Sequence, residues 1–256
     1  MLHLFGPESE WPDQDLIAFS EEFDAQLAYL AYCSGVFPMP LLEGDHPDDM
    51  GWWSPVHRGV LPLDRFVASR SLRKSAKRFT TTVDVAFVEV VRRCAAPGRS
   101  GGWITPGIIE VYQQFHARGQ AHSVEVWDAD RRLVGGLYGV SVGGLFAGES
   151  MFHDAEHGRD ASKVALVRLV DELGRGLSWT ERRRDRLLDV QWLTPHLASL
   201  GAIEVPRREY LRQLNRVLTL DPPEFDRGEA FRRPGLVPTV GVADDDHDTM
   251  QGDADA

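Results

Sequence analysis

Two carboxylates stand out in this chain because neither sits where a carboxylate is at ease. Glu149 lies between Gly148 and Ser150 at the end of an apolar strand, Phe146-Ala147-Gly148-Glu149-Ser150-Met151-Phe152. A partly buried carboxylate needs a cationic partner, so Glu149 in that setting recognises an ammonium or guanidinium. The plainer alternative is a strand-end carboxylate in water. Asp189 is flanked by Leu187, Leu188 and Val190, a position that β-propensity and burial both disfavour for aspartate. Strand alternation puts Asp189 and Gln191 on one face and Leu188 and Val190 on the other. A carboxylate and an amide side by side can be aimed at a nucleophile. A structural carboxylate bonded to a backbone turn is the other reading. Two carboxylates beside medium-sized apolar side chains are a way to hold a cationic amine next to an apolar group.

Other residue types narrow the chemistry. Cys33 and Cys94, the only cysteines, are too few for a disulfide framework and have no metal-ligand spacing. His153 and His157 stand four apart with no further ligand nearby, so no metal site is expected. No apolar run reaches the ~18–20 residues that span a bilayer, and the acidic N-terminus does not read as a signal peptide; both point to the cytoplasm. The net charge of −11 argues against a nucleic-acid partner only on average. Six aspartates between positions 244 and 255 supply more than half of it. Arg65, Arg70, Arg73, Lys74, Lys77 and Arg78, meanwhile, form a basic run with no acid between them. A polyanion feels that local patch rather than the average field. A merely solvated basic face is the alternative.

Elements that could position these residues follow from periodicity. Residues 24–34 read as a helix stopped by Gly35, Phe37-Pro38-Met39-Pro40 as extended chain, and Trp52-Trp53 as the start of a strand ending near Val60. A small N-terminal domain, residues 1–58, ends there. A helix is expected over 83–95 with Val83, Phe87, Val90 and Val91 inward, and another from Pro106, after a Thr105 N-cap, to about Arg118. Three strands follow, over 122–127, 133–141 and 144–150. Then come a helix over 162–174, a buried strand over 187–192, a short helix at 195–200 and a last helix over 209–218. Arg182, Arg183 and Arg184 read as a surface loop. This order makes an α+β protein with an acetyltransferase-like (GNAT) domain over residues 59–221, a mainly antiparallel sheet flanked by helices. Residues 222–256, rich in Pro, Gly and Asp, read as an extended arm and a disordered acidic tail.

The strands around Glu149 and Asp189 sit in a longer series. It comprises Trp52-Trp53-Ser54-Pro55, Gly102-Trp103-Ile104-Thr105, Gly135-Gly136-Leu137-Tyr138-Gly139, Ala161-Ser162-Lys163 and His196-Leu197-Ala198-Ser199-Leu200-Gly201-Ala202. From about residue 15 to 214 this series resembles the leucyl/phenylalanyl-tRNA–protein transferase family, with its segments in the family's order. The resemblance implies the GNAT fold as well. It implies transfer of Leu or Phe, with Met as a further donor, from aminoacyl-tRNA to the α-amine of proteins beginning with Arg or Lys, which are then degraded. Because an aminoacyl ester is already activated, no metal, ATP or other cofactor is expected; positioning and modest proton-transfer help suffice.

The same resemblance implies residue roles. Glu149 lines the substrate site. Asp189 and Gln191 form the catalytic centre, either assisting the attacking amine or leaving proton transfer to the tRNA ribose. Leu137, Phe146, Met151, Leu166, Leu169 and Leu188 wall the donor side-chain pocket, and Trp103 and Tyr112 stack on or hold the terminal adenosine. Arg70, Arg73, Lys74, Lys77 and Arg78 take the acceptor stem by its phosphates. The chain departs from the family at Met39, where a Trp commonly follows Phe37-Pro38, at Thr194 in place of Asn, and in a longer stretch over 179–184. Two other functions compete. An acyl-CoA N-acetyltransferase needs a Gly-rich pyrophosphate loop, but the matching turn, residues 157–163, has one glycine and an Asp160 that repels phosphate. A non-catalytic binder of basic N-termini would use Glu149 but have little need to pair Asp189 with Gln191.

Overall fold

The computed structural model describes residues 5–41, 49–96 and 102–232. The acidic tail expected after 243 lies outside the described residues.

The chain opens with a small antiparallel sheet, order β1-β3-β2, made of β1 (Leu16–Ser20), β2 (Phe37–Pro40) and β3 (Met50–Trp53). Between β1 and β2 runs α1 (Ala25–Cys33), whose N-cap Asp24 accepts the Leu27 N–H. Gly35, at φ 80°, reverses the chain after it, a conformation that favours glycine. The single strand expected from Trp52 to Val60 is two strands in different sheets. Ser54 bonds back to Asp15, Pro55 has no N–H to continue a ladder, and β4 (His57–Val60) enters the second sheet.

That second sheet holds eight strands in the order β10-β4-β9-β8-β7-β6-β5-β11. Its middle is β6 (Ala121–Trp127), β7 (Leu133–Val142), β8 (Leu145–His153) and β9 (Leu187–Gln191). β5 (Thr80–Val83), β10 (Ile203–Pro206) and β11 (Gly228–Arg232) complete it. Every neighbouring pair is antiparallel except β8–β9, which is parallel. Thr80-Thr81-Thr82-Val83 is a β-branched run that pairs with β6, so the helix expected from Val83 begins instead at Phe87. β1 and β10, short and half-exposed, were not expected.

One face of the large sheet carries α1, α3 (Phe87–Cys94), α4 (Pro106–Ala117) and α8 (Arg207–Val217). The other carries α2 (Arg70–Ala76) and α5 (Ala161–Leu173). Thr105 caps α4 as its spacing predicts. The arginines at 182–184, expected in a loop, belong to α6 (Trp179–Asp185), started by a capping box between Ser178 and Glu181. α7 (Pro195–Ala198) is capped by Thr194. The arm after α8 is extended, and to residue 232 it is laid on the body. Phe225 stacks on His122 with centroids 4.0 Å apart, the Asp226 N–H donates to Glu172, and β11 pairs with β5.

Candidate active site

The site forms where the parallel pair comes apart. β8 and β9 pair from Leu145–Leu187 to Ala147–Asp189 and no further. Beyond that point each strand carries an irregularity. Against β7, Tyr138 faces Ser150 and Gly139 faces Gly148, which leaves Glu149 as an extra, bulged residue. Against β4, Gly59 faces Gln191 and Val60 faces Asp189, so Val190 is likewise extra, and Gln191 takes a left-handed φ of 56°. A bulge re-aims the side chains around it.

This overturns one expectation. Asp189 and Gln191 do not share a face. Leu188 and Val190 line a cavity that Gln191 joins, whereas Asp189 is fully buried against Arg58 and Tyr210. The Arg58 guanidinium grips Asp189 with two hydrogen bonds, Nε to Oδ1 at 2.9 Å and Nη2 to Oδ2 at 2.6 Å. Tyr210 donates to Oδ2 at 2.9 Å, and the Gln191 backbone N–H donates to Oδ1 at 2.9 Å. Arg58 is itself sandwiched between the rings of Phe37 and Tyr210 and donates to the Gly35 carbonyl. Burial opposes its charge, but Asp189 beside it raises its pKa further. Both Asp189 oxygens are thus engaged, and the carboxylate does not line the cavity. It holds the Gln191 backbone in its turn.

Glu149 is the reverse case. Its Oε2 accepts from the Tyr112 hydroxyl at 2.8 Å, and Tyr112 in turn meets the Tyr32 hydroxyl at 2.7 Å, while Oε1 is buried without a partner. Burial pushes the carboxyl up to about 7, against the pull of the two tyrosine hydroxyls. The Gln191 Nε2 and the Tyr138 hydroxyl are also buried and unpartnered among the described residues. Glu149, Gln191 and Tyr138 all line one cavity of about 160 Å³, whose apolar wall includes Leu137, Met151, Leu166, Leu169 and Leu188. Buried polar atoms normally find partners. Three orphans around one apolar hollow describe a place shaped for something with a cationic or polar head and an apolar body.

Most of the expected pocket residues therefore meet there. Phe146 does not line the hollow; it is fully buried in the core cluster beneath it, against Phe225. Tyr112 is fully buried between Phe115 and Tyr138, so no face of its ring is open to stack on a base, and it reaches the site through its hydroxyl. Trp103 is partly buried against the core on the α1/α4 face. Arg58, Tyr32, Tyr138, Val190 and Leu197 were not anticipated. For Arg58 the signal available was an arginine beside Gly59 in a strand otherwise bound for the core, and Tyr138 and Leu197 stand in segments already singled out.

The basic run divides. Arg70, Arg73, Lys74, Lys77 and Arg78 lie on or just after α2, with Lys74 and Arg78 lining a hollow of about 380 Å³ with Arg159. Arg65 instead faces a different hollow, with Arg184, Arg186 and Arg216. Among the described residues no three His, Cys, Asp or Glu side chains gather as a metal-ligand group, and no helix is long and apolar enough to cross a membrane.

Comparison with known proteins shows the family of the chain. A family model described as leucyl/phenylalanyl-tRNA protein transferase matches residues 60–215, and the model of that family's N-terminal domain matches residues 21–56. A leucyl/phenylalanyl-tRNA–protein transferase of Rhizorhabdus wittichii is 49% identical over 199 residues, 76% of this chain and 75% of the relative. Those of Herpetosiphon aurantiacus and Afipia carboxidovorans are 45% and 42% identical, covering 78% and 87% of this chain and 96% and 92% of their own. With its core elements spanned by both models and most of its length shared with these relatives, the chain belongs to the leucyl/phenylalanyl-tRNA–protein transferase family and is an aminoacyltransferase.

Proposed function

We propose that this enzyme takes Leu or Phe, with Met as a further donor, from aminoacyl-tRNA and joins it to the α-amine of proteins that begin with Arg or Lys. The cavity of about 160 Å³ holds the donor side chain; an apolar cavity of about 150 Å³ accepts a benzene ring, so both Leu and Phe fit. The observation that carries this reading is the convergence of the Glu149 and Gln191 orphan atoms on that cavity.

An amino acid carries its α-amine one carbon beyond the side chain, so Glu149 at the cavity edge holds the donor ammonium. Gln191, with its free N–H donors, meets the ester carbonyl oxygen, where negative charge develops as the acceptor amine attacks. The amine forms the new amide bond, the ester C–O bond breaks, and the ribose hydroxyl leaves with the proton that the amine loses. An N-terminal amine titrates at about 7.7–8.0, so a minority is already neutral without a strong base. Trp103 serves the terminal adenosine, and Arg70, Arg73, Lys74, Lys77 and Arg78 the acceptor stem. The mostly antiparallel sheet with one splayed parallel pair supports the GNAT-like reading. The cytoplasm, where charged tRNA is made, is the place of the reaction, and degradation is the fate of the product.

The test is single-turnover transfer of leucine from Leu-tRNA to peptides that differ only in the first residue. Transfer to Arg- and Lys-peptides and not to Ala- or Asp-peptides is the expected result. Equal use of all four sinks the acceptor assignment.

A further inference from the structure

Two segments of the sequence series, Ala161-Ser162-Lys163 and the stretch beginning at His196, have no part in the chemistry above beyond Leu197 in the donor cavity wall. The fold brings them together. Ser162, Lys163 and His196 line a hollow of about 520 Å³ with Met151, His153, Arg159 and Asp160. Met151 also lines the donor cavity, so the two adjoin. At its other end this hollow shares Arg159 and Asp160 with the one lined by Lys74 and Arg78. Three hollows thus run in sequence from the donor cavity to α2.

We propose that the middle hollow is a binding site for the phosphodiesters of the single-stranded 3′ end of the donor RNA, with Arg159 and Lys163 as its cations. The proposal rests on the donor reading of the cavity. Around the middle and outer hollows the fixed charges are Arg159, Lys163, Lys74 and Arg78, against Asp160 alone. Asp160, which on sequence grounds repels phosphate, has both oxygens engaged. Oδ2 accepts from Ser75 of α2 at 2.9 Å and Oδ1 from Lys163 at 3.2 Å. That bridge pins α2 against the start of α5 and so fixes the spacing of the two hollows. The Arg159 side chain is exposed and makes no hydrogen bond or ion pair among the described residues, leaving its planar fork free for a phosphate. His196 is held below its ordinary pKa by burial, then by Lys163 and His153, so near neutrality it is an uncharged hydrogen-bonding group. A strand whose aminoacyl end fills the donor cavity leaves over the Met151 rim, and its first phosphates meet this hollow before the stem reaches α2.

The experiment compares three leucine donors at saturating Arg-peptide: Leu-tRNA, 3′-O-leucyl-CpCpA and 3′-O-leucyl-adenosine. In Arg159→Gln, whose side chain supports nothing in the fold, the KM for leucyl-CpCpA is expected to rise about tenfold, the loss of one charge-assisted contact. The salt dependence of that KM flattens by roughly 0.7 in log–log slope for the cation removed. Transfer from leucyl-adenosine, which has no phosphate to lose, holds at the wild-type value. Lys74→Gln/Arg78→Gln affects Leu-tRNA and spares leucyl-CpCpA. An equal loss with leucyl-adenosine, an unchanged KM for leucyl-CpCpA, or a rise only in the KM for the peptide each overturns the proposal. The underlying donor reading is checked separately: Met151→Trp fills the cavity and blocks leucyl-adenosine, and normal transfer by that variant removes the donor reading whatever Arg159 does.

Discussion

Asp189 and Glu149 illustrate how burial gives two carboxylates opposite tasks. From the sequence, Asp189→Asn promises a stable but slow enzyme. Its bidentate grip on Arg58 makes it a stability variant instead, because the change strands a buried guanidinium. Breaking such a pair from one side costs about 3–5 kcal/mol. Asp189→Asn should melt well below wild type, and the double change Arg58→Met/Asp189→Asn should cost much less than the two singles together. An unchanged melt would restore Asp189 to the chemistry. Gln191→Ala should behave differently, losing roughly 10²–10³ in transfer rate if its amide meets the developing oxyanion, with little change in melting temperature. Glu149 supplies a signed pH effect. Its folded pKa of about 7 lies above the unfolded value of 4.5, so the folded state binds the extra proton. Stability is full below about pH 4.5, falls as pH rises towards 7 and levels off above it. Glu149→Gln abolishes that fall, so the stability of the variant relative to wild type should grow between pH 5 and 8 by on the order of 1–3 kcal/mol. Denaturant melts at the two pH values read this directly; a difference that shrinks would mean that Glu149 is ionised and paired in the folded protein.

At the scale of elements, α2 carries its cations on an exposed face and leaves Leu72 and Ala76 to the core. Replacing Arg70, Lys74, Lys77 and Arg78 by Ala should raise the KM for Leu-tRNA and flatten its salt dependence without altering the melt. A salt slope equal to wild type would show a solvated face and nothing more. The elements also show what a sequence reveals. The helices at 25–33, 106–117 and 161–173 and the strands around Glu149 and Asp189 were legible because apolar spacing and caps such as Thr105 are local. The partner of Asp189 was not, since Arg58 stands 131 residues away. Nor were the bulges at Glu149 and Val190. Alternation assumes that each residue faces one partner, and an extra residue breaks that count without changing residue type. That is why Gln191 was assigned to the wrong face.

In the whole molecule the arm after α8 works as a strap. Phe225 packs on His122 and Phe146, the Asp226 N–H caps Glu172, and Arg175 bridges Glu172 and Asp226. Truncation after Leu220 removes every contact of Phe225 and Asp226 and should lower the melting temperature by about 5–10 °C. Deleting residues 243–256, nearly devoid of apolar side chains, should change neither melt nor transfer; a large effect would mean that the acidic tail docks on the body. The two bulges have a further consequence for the stability of the whole chain. A regular ladder at Glu149 and a residue without a Cβ at the left-handed Gln191 would both make the sheet more stable, the latter by about 1 kcal/mol. A library of variants selected for heat resistance alone should therefore repair the sheet where β8 and β9 part, and the survivors should be the ones that no longer transfer.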